Sequence, residues 1–368
     1  MTKIIKAVDG VLDYSDWGSS IDLNLSVLDK AGQWPTIINQ VLGSDYDDSI
    51  VGNQGAYQTL SGGGGDDTLV GIGNKTIYDG GSGADTVDFS NMSHVYVNLD
   101  SGTSYLNETF NSIENLIGTA NNDTLIGSDS NNVLSGGGGS DILNGGGGAD
   151  ILLGGAGDDL YFVDSKYDVV TEFADQGVDG VNSSVTWTLS SNVEDLTLTG
   201  GAAINGYGNE LANRMIGNDA ANILRGGAGD DALNGGAGND TLNGGVGDDV
   251  LRGGAGKDYL WGGAGSDRFV YNSISESTAN NRDIIYDFQS GADKIDLRAI
   301  DAASALSGNQ AFHFIGDDGF SGSAGELRAA YTSGYTVISG DVNGDGVADF
   351  AIKLQGLSEH LGSGDFLF

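Results

Sequence analysis

Residues 226–270 read GGAGDDALN, GGAGNDTLN, GGVGDDVLR, GGAGKDYLW and GGAGSDRFV, five uninterrupted nonapeptides of one pattern. Each divides into a six-residue glycine-rich turn, where a missing Cβ permits positive φ, and a three-residue strand with an apolar centre. The chain reverses at every turn, so two nonads complete one coil. Leu233, Leu242, Leu251, Leu260 and Phe269, all at position eight, then point into a thin shared core. Coils of this kind stack as parallel sheets, because no single coil buries its own apolar face. A flexible Gly/Asp linker, the competing reading, has no reason to keep an apolar residue at position eight.

Working outward, the GGxGxD core recurs at Gly62, Gly80, Gly136, Gly145 and Gly154, and weaker copies in register begin at Gly43, Gly118, Gly127, Gly208 and Gly217. The expected fold is all-β: a parallel β-roll (β-solenoid) in three repeat blocks at 43–88, 118–162 and 208–270. Short β spacers at 89–117 and 163–207 join the blocks. An N-terminal β spacer or cap covers 1–42, and a β-rich capping domain covers 271–368. DYSDWGSSIDLNL and TIINQVLGSDYDDSIVG near the N-terminus parallel DFSNMSHVYVNL and NSIENLIGTANNDTLIG in the first spacer. Asp13-Tyr14-Ser15 thus matches Asp88-Phe89-Ser90, and Val41-Leu42-Gly43-Ser44 matches Leu116-Ile117-Gly118-Thr119. The N-terminus is expected to be more solenoid, with no separate catalytic domain before the repeats. The second spacer carries Val181, Val185, Trp187, Leu189, Leu196 and Leu198 in alternation, which reads as short strands. Trp17, Trp34, Trp187 and Trp261 read as core or cap residues in preference to a carbohydrate platform.

Composition narrows the function. Glycine supplies 64 of 368 residues, with a single proline and no three-residue period, so neither collagen nor a proline-rich linker is indicated. The 52 acidic and 15 basic residues give a formal net charge of −37, which repels nucleic acid and anionic membranes and attracts cations. There is no cysteine, hence no disulfide and no thiolate chemistry. Asp9, Asp13 and Asp16 break the apolar run that an N-terminal secretory signal requires after Lys3 and Lys6, and no stretch reaches transmembrane length.

Stacking places the sixth-position carboxylates of nonads n and n+2 one strand spacing apart, ~4.8 Å. Asp231 is therefore expected beside Asp249. Two such charges repel by about 0.9 kcal/mol even at the dielectric of water, and by several times more near a protein surface. A hard dication seeking six to eight oxygens removes that repulsion, and carboxylates and turn carbonyls are the ligands that calcium takes. Zinc and copper prefer His or Cys, which the turns lack, and magnesium prefers a tighter octahedron with retained water. The expected calcium ligands are Asp67, Asp85, Asp123, Asp141, Asp150, Asp159, Asp231, Asp240, Asp249, Asp258 and Asp267, with Gly226, Gly235, Gly244, Gly253 and Gly262. Asp48 is a weaker candidate. So are Asp341, Asn343, Asp345 and Asp349, which follow the order of an EF-hand loop around Gly346 but have Ile352 where its bidentate Glu belongs. Calcium binding and a plain β-turn both remain open for that loop.

The GGxGxDxLx pattern resembles the signature of RTX proteins, the hemolysin-type calcium-binding repeat family. That resemblance implies a parallel β-roll holding multiple calcium ions between successive turns, and export to the extracellular space by a type I secretion apparatus that reads the C-terminus. From Tyr271 onward, RDIIYDFQSGADKIDLRAID and YTVISGDVNGDGVADFAIKLQG resemble the C-terminal domain of serralysin-type secreted metalloproteases. The terminal Asp365-Phe366-Leu367-Phe368 is similar to that family's secretion signal.

Catalysis is not expected. The H-E-x-x-H of a zinc protease and the G-x-S-x-G of a serine hydrolase are both missing, and His94, His313 and His360 are scattered. The acidic pairs recur in every block, as metal ligands would, and not as one glycosidase pair. The expectation is a secreted calcium-binding protein that folds on meeting extracellular calcium and serves as a non-catalytic surface or interaction protein. An extracellular polysaccharide or a host surface is its further partner class. The alternative is an accessory calcium-binding and secretion region of a secreted metalloprotease-type hydrolase.

Overall fold

The computed structural model describes residues 9–26, 38–53, 57–72, 75–357 and 360–368. Trp34, Lys3 and Lys6 lie outside the described residues. Two compact units succeed one another, Met1–Gly180 and Val181–Phe368, and each is built as a parallel β-roll. No helix among the described residues is long and apolar enough to cross a membrane.

In the first unit one sheet stacks Asp22–Asn24, Ser49–Val51, Thr68–Val70, Thr86–Asp88, Asn115–Ile117, Val133–Gly138, Ile151–Ala156 and Val169–Thr171, every neighbour parallel. Alternate half-coils form the second sheet. Val11–Asp13, Gln40–Leu42, Gln58–Gly64 and Thr76–Ser82 pair in series, as do Tyr96–Asn98, Thr124–Ser128, Ile142–Gly146 and Leu160–Val163. The first spacer joins the two series with a local reversal: Thr103–Ser104 runs antiparallel between Thr109–Asn111 and Tyr96–Asn98, while Thr109–Asn111 pairs parallel with Thr76–Ser82. The N-terminal segment and this spacer do share one local fold. The Ser15 amide donates to Asp13 Oδ1 as the Ser90 amide does to Asp88 Oδ1.

In the second unit Trp187–Thr188, Gly206–Tyr207, Ile223–Ala228, Thr241–Val246, Tyr259–Ala264, Ile284–Ile285 and Phe350–Gln355 form one parallel series. Asp195–Leu198, Arg214–Ile216, Ala232–Ala237, Val250–Ala255, Arg268–Val270, Lys294–Asp296 and Phe366–Leu367 form the other. The first series then turns antiparallel through Tyr335–Asp341 and Glu326–Thr332, which end the roll with a meander.

The nine-residue period sets the register. Leu224, Leu242 and Leu260 align across three coils, and so do Leu233, Leu251 and Phe269. All six are buried, with positions seven and nine turned outward. A one-residue slip would expose the whole row, which is why the register is firm. Glycine at the turn is a steric requirement. Gly245 (φ 121°) and Gly247 (φ 143°) have left-handed backbones, and a Cβ on either would overlap the carbonyl oxygen of Gly227 or Gly229 one coil earlier.

Adjacent residues on opposite faces give a direct check on this core. Leu143 is fully buried while its neighbour Ile142 is 40% exposed. Leu143→Ala is expected to lower the folded chain's stability by about 2–5 kcal/mol in urea unfolding, and Ile142→Ala by less than about 1 kcal/mol. Equal losses would contradict the inward assignment of position eight.

Candidate metal-binding turns

The strand rule that turns position eight inward also brings position six to the mouth of the core. Asp48, Asp67, Asp85, Asp123, Asp141, Asp150, Asp159, Asp231, Asp240, Asp249, Asp258 and Asp267 are all buried. The expected neighbours meet. The Asp231 amide donates to Asp249 Oδ1 at 2.8 Å, Asp240 to Asp258 at 2.8 Å, Asp249 to Asp267 at 3.0 Å, and Asp141 to Asp159 at 2.7 Å. One oxygen of each carboxylate is thereby held by the main chain of the previous coil.

The other oxygen is left over. Oδ2 of Asp67, Asp85, Asp141, Asp150, Asp159, Asp231, Asp240, Asp249, Asp258 and Asp267 is buried without a hydrogen-bond partner. Each faces a gap beside the first glycine of its own nonad. A Cβ on Gly226, Gly235, Gly244, Gly253 or Gly262 would overlap Oδ2 of Asp231, Asp240, Asp249, Asp258 or Asp267 respectively. A Cβ on Gly226 would also lie 2.6 Å from the Gly244 carbonyl oxygen, and one on Gly235 would lie 2.5 Å from that of Gly253. The gap is a cradle lined by an anionic oxygen and a carbonyl oxygen of the next coil, and those donors suit calcium. Left alone, such buried unpaired oxygens are strongly unfavourable.

Burial, reinforced by the neighbouring carboxylates, raises these groups well above the ordinary aspartate value. Asp67, Asp141, Asp231 and Asp240 are pushed up to about 7. Asp150, Asp159, Asp249, Asp258 and Asp267 rise to about 6. Asp85 moves the same way. The hydrogen bond donated by the previous coil's amide opposes the rise without cancelling it.

A second class of turn is already closed by the protein. In Asp48 both oxygens are taken, Oδ2 by the Ser44 amide and Oδ1 by the Ile21 amide. Asp123 repeats this with the Thr119 and Val95 amides. These two candidates therefore differ from the other aspartates on which the sequence pattern placed calcium. Asn132, Asn213 and Asn222 go further. Their Oδ1 atoms accept from the Ser128, Asn209 and Asn218 amides, and their Nδ2 groups donate to carbonyls of the previous coil, including Glu114 at 2.6 Å and Ile204 at 2.6 Å. The residue at position two separates the classes. Where it is glycine with positive φ, as at Gly227, Oδ2 stays open. Where it is Ser44, Thr119, Ser128, Asn209 or Asn218, outside the positive-φ residues, the amide caps the sixth side chain.

Several residues in the same structural position lie outside the glycine-rich motif. Asp283 Oδ1 accepts from the Asp258 amide, its Oδ2 is unpartnered, and burial with the charge of Asp258 pushes it up to about 8. Glu114, Asp168, Asp179 and Asp293 take the amides of Asp85, Asp150, Asp159 and Asp267. An acidic residue two places before an inward apolar residue, as in Asp283-Ile284-Ile285 and Asp293-Lys294-Ile295, is the signal that would have found them.

The EF-hand-like loop is laced by its own hydrogen bonds and is flanked by strands. Asp341 accepts from the Gly344 and Gly346 amides, Asp349 from the Val342 and Asn343 amides, Asn343 Oδ1 from the Asp345 amide, and Asp345 from the Val347 amide. Trp187 is buried, Trp261 stacks on Tyr286 at 4.3 Å, and Trp17 meets Tyr14 edge-on. His94 stacks on Tyr105, whereas the His360 ring lies tilted against that of Tyr331.

Three outcomes follow from the two oxygens of each aspartate. Asp249 has sixth-position partners on both sides, whereas the Asp85 amide turns to Glu114. Asp249→Ala is therefore expected to raise the calcium midpoint of folding more than Asp85→Ala, and equal midpoints in a titration would refute the ranking. Gly244→Ala, which fills a cradle, is expected to raise the midpoint without removing any carboxylate; an unchanged midpoint would show that the gap beside Gly244 is not used. Third, a carboxyl whose value is raised on folding adds stability that is present below its unfolded value of roughly 4 and is lost as pH rises through the folded value. With folded values of about 6 to 8, the chelated chain should show more β circular dichroism at pH 5.5 than at pH 8. A signal that grows toward pH 8 would reverse the sign of this argument.

Comparison with known proteins agrees with this geometry. Residues 218–368 match the family model "Peptidase M10 serralysin C terminal", and four overlapping matches to the RTX calcium-binding nonapeptide repeat lie at 110–143, 117–152, 126–161 and 135–169. Metallopeptidase AprA of Pseudomonas marginalis is 36% identical over 90 residues, 24% of this chain and 17% of the relative. Metalloprotease AprA of Pseudomonas entomophila is 41% identical over 91 residues, 24% of this chain and 18% of the relative. The chain thus spans less than a fifth of the length of these curated relatives. Among solved structures, the AlgE6R2 subunit of the Azotobacter vinelandii mannuronan C5-epimerase is 27% identical, with TM-score 0.32, over 42% of this chain and 91% of that one. The extracellular lipase LipA of Serratia marcescens is 18% identical, with TM-score 0.28, over 80% of this chain and 44% of that one. The chain carries RTX calcium-binding nonapeptide repeats and, over residues 218–368, a C-terminal region of the serralysin type.

Proposed function

We propose that this protein is secreted, folds on meeting extracellular calcium, and acts outside the cell as a non-catalytic interaction protein. The row of buried, unpartnered Oδ2 atoms from Asp67 to Asp267 carries this reading. In a low-calcium cytoplasm the carboxylates ionise and repel, and the coils stay open. In a millimolar-calcium medium the ions fill the cradles, and binding energy becomes folding energy. An open chain without cysteines suits passage through a type I secretion channel. The C-terminus fits the same order of events. Phe366 is buried, Phe366–Leu367 pairs with Lys294–Asp296, and Asp365 accepts from the Gly291 amide and the Ser290 hydroxyl. Residues that sit in the roll once it closes are available to the secretion apparatus only before it does. An extracellular polysaccharide or a host surface is the partner class that this reading places next.

The second reading, an accessory calcium-binding and secretion region of a hydrolase, is favoured by one observation: the curated relatives are named as metallopeptidases and the chain corresponds to 17–18% of their length.

The test is far-ultraviolet circular dichroism of the chain, titrated from chelator into millimolar calcium with magnesium as the control. A cooperative gain of β signal with calcium alone is expected. A full β signal in chelator, or an equal response to magnesium, would overturn the switch.

A further inference from the structure

The end of the second roll gathers a set of groups that the repeat pattern does not supply. The last nonad, GGAGDDLYF from Gly154, has Asp159 at position six and Tyr161 at position eight, where most nonads carry leucine. Past Leu160–Val163 the chain returns through Val169–Thr171, reaches Glu172, and comes back to the turn edge at Asp179. Asp179 stands where the next coil's sixth residue would, with Oδ1 accepting from the Asp159 amide at 2.8 Å. Glu172 has no counterpart in the repeat. Its Oε1 accepts from the Tyr161 hydroxyl, whose oxygen in turn accepts from the Gly154 amide at 2.7 Å. The tyrosine thus reaches out of the core and fixes a glutamate at the turn.

Carboxylate oxygens of Asp159, Glu172 and Asp179 lie within 4.8 Å of one another, and all three residues are buried. A second observation is independent of that clustering. Asp159 is only 3% exposed, its Oδ1 is held by the Asp141 amide, and its Oδ2 has no partner. That oxygen faces the Tyr161 hydroxyl across the gap at Gly154, where an added Cβ would overlap both. Asp179 and Asp159 both act on Glu172 as like charges and raise its carboxyl.

We propose that Asp159, Glu172 and Asp179 form a side-chain calcium site that closes the second roll, built from three carboxylates where the repeat turns offer one or two beside main-chain carbonyls. It rests on the calcium reading of the repeats for Asp159 alone. An all-oxygen donor set with three carboxylates selects a hard divalent cation, and the uneven spacing of its donors along the chain suits the flexible calcium sphere better than the magnesium octahedron. Tyr161 is a positioning residue that orients Glu172.

The test is equilibrium dialysis of radioactive calcium on the full chain and on Glu172→Gln, with Asp240→Asn in the third roll as a control and folding checked by circular dichroism. Glu172→Gln is expected to bind one ion fewer than the unaltered chain while the third roll keeps its own. An unchanged stoichiometry and affinity overturns the site while leaving the repeats intact, whereas an unaltered chain that binds no calcium overturns the repeat reading itself. If Glu172→Gln does not fold, calcium anomalous scattering from crystals of the unaltered chain decides. A peak among the three carboxylates supports the site, and peaks in the repeat turns with none there refute it.

Discussion

Everything in this structure depends on how a stacked aspartate divides its two carboxylate oxygens. Oδ1 takes the amide of the coil before and fixes the spacing, while Oδ2 is carried into a buried gap with no donor to meet it. The first oxygen ties one coil to the next, and the second leaves a buried polar atom unmet, which is unfavourable on its own. Because the coils approach at strand spacing, the same geometry recurs at every turn, and a local imbalance becomes a property of the whole array. The glycines belong to this constraint as much as the aspartates do. Without a Cβ at Gly226 or Gly244 the gap beside Oδ2 exists, and with one it is filled.

The molecule holds a built-in comparison between turns whose sixth side chain leaves one oxygen unpartnered and turns in which both side-chain groups are bonded. Asn213 and Asn222 replace the charge with an amide that reaches the carbonyls of the previous coil. Asp48 and Asp123 keep the charge but satisfy it with backbone amides released by Ser44 and Thr119. Such turns stand at the start of blocks, where the preceding coil comes from a spacer. Self-closed turns of this kind give each block a closed coil on which the open turns can add, in keeping with the nearest-neighbour energetics of repeat folds.

Most of the architecture was legible in the sequence, because the period of nine dictates both register and facing: Leu242 and Leu251 had one place to go. The column neighbours Asp231 and Asp249 were legible for the same reason. What the motif could not show was the state of each oxygen. Asp123 and Asp141 look alike as letters, but a threonine or a glycine four residues earlier decides whether the carboxylate is capped or open. Nor could glycine counting find Asp179, Asp283 or Asp293, which hold the stacking position without the glycine-rich turn. The EF-hand-like order around Gly346 shows the same limit, since the letters do not reveal that its polar side chains bond the loop's own amides.

The proposed switch holds that unneutralised carboxylates, and not any lack of intrinsic β preference, keep the rolls open without calcium. Replacing the column Asp231, Asp249 and Asp267 with asparagine removes charge while keeping shape, and circular dichroism in chelator reads the result. The account predicts that this variant gains, without calcium, part of the β signal that the unaltered chain gains only with it. A variant as open in chelator as the unaltered chain would contradict the account and show that the ion closes the roll by bonding geometry and not by relieving repulsion.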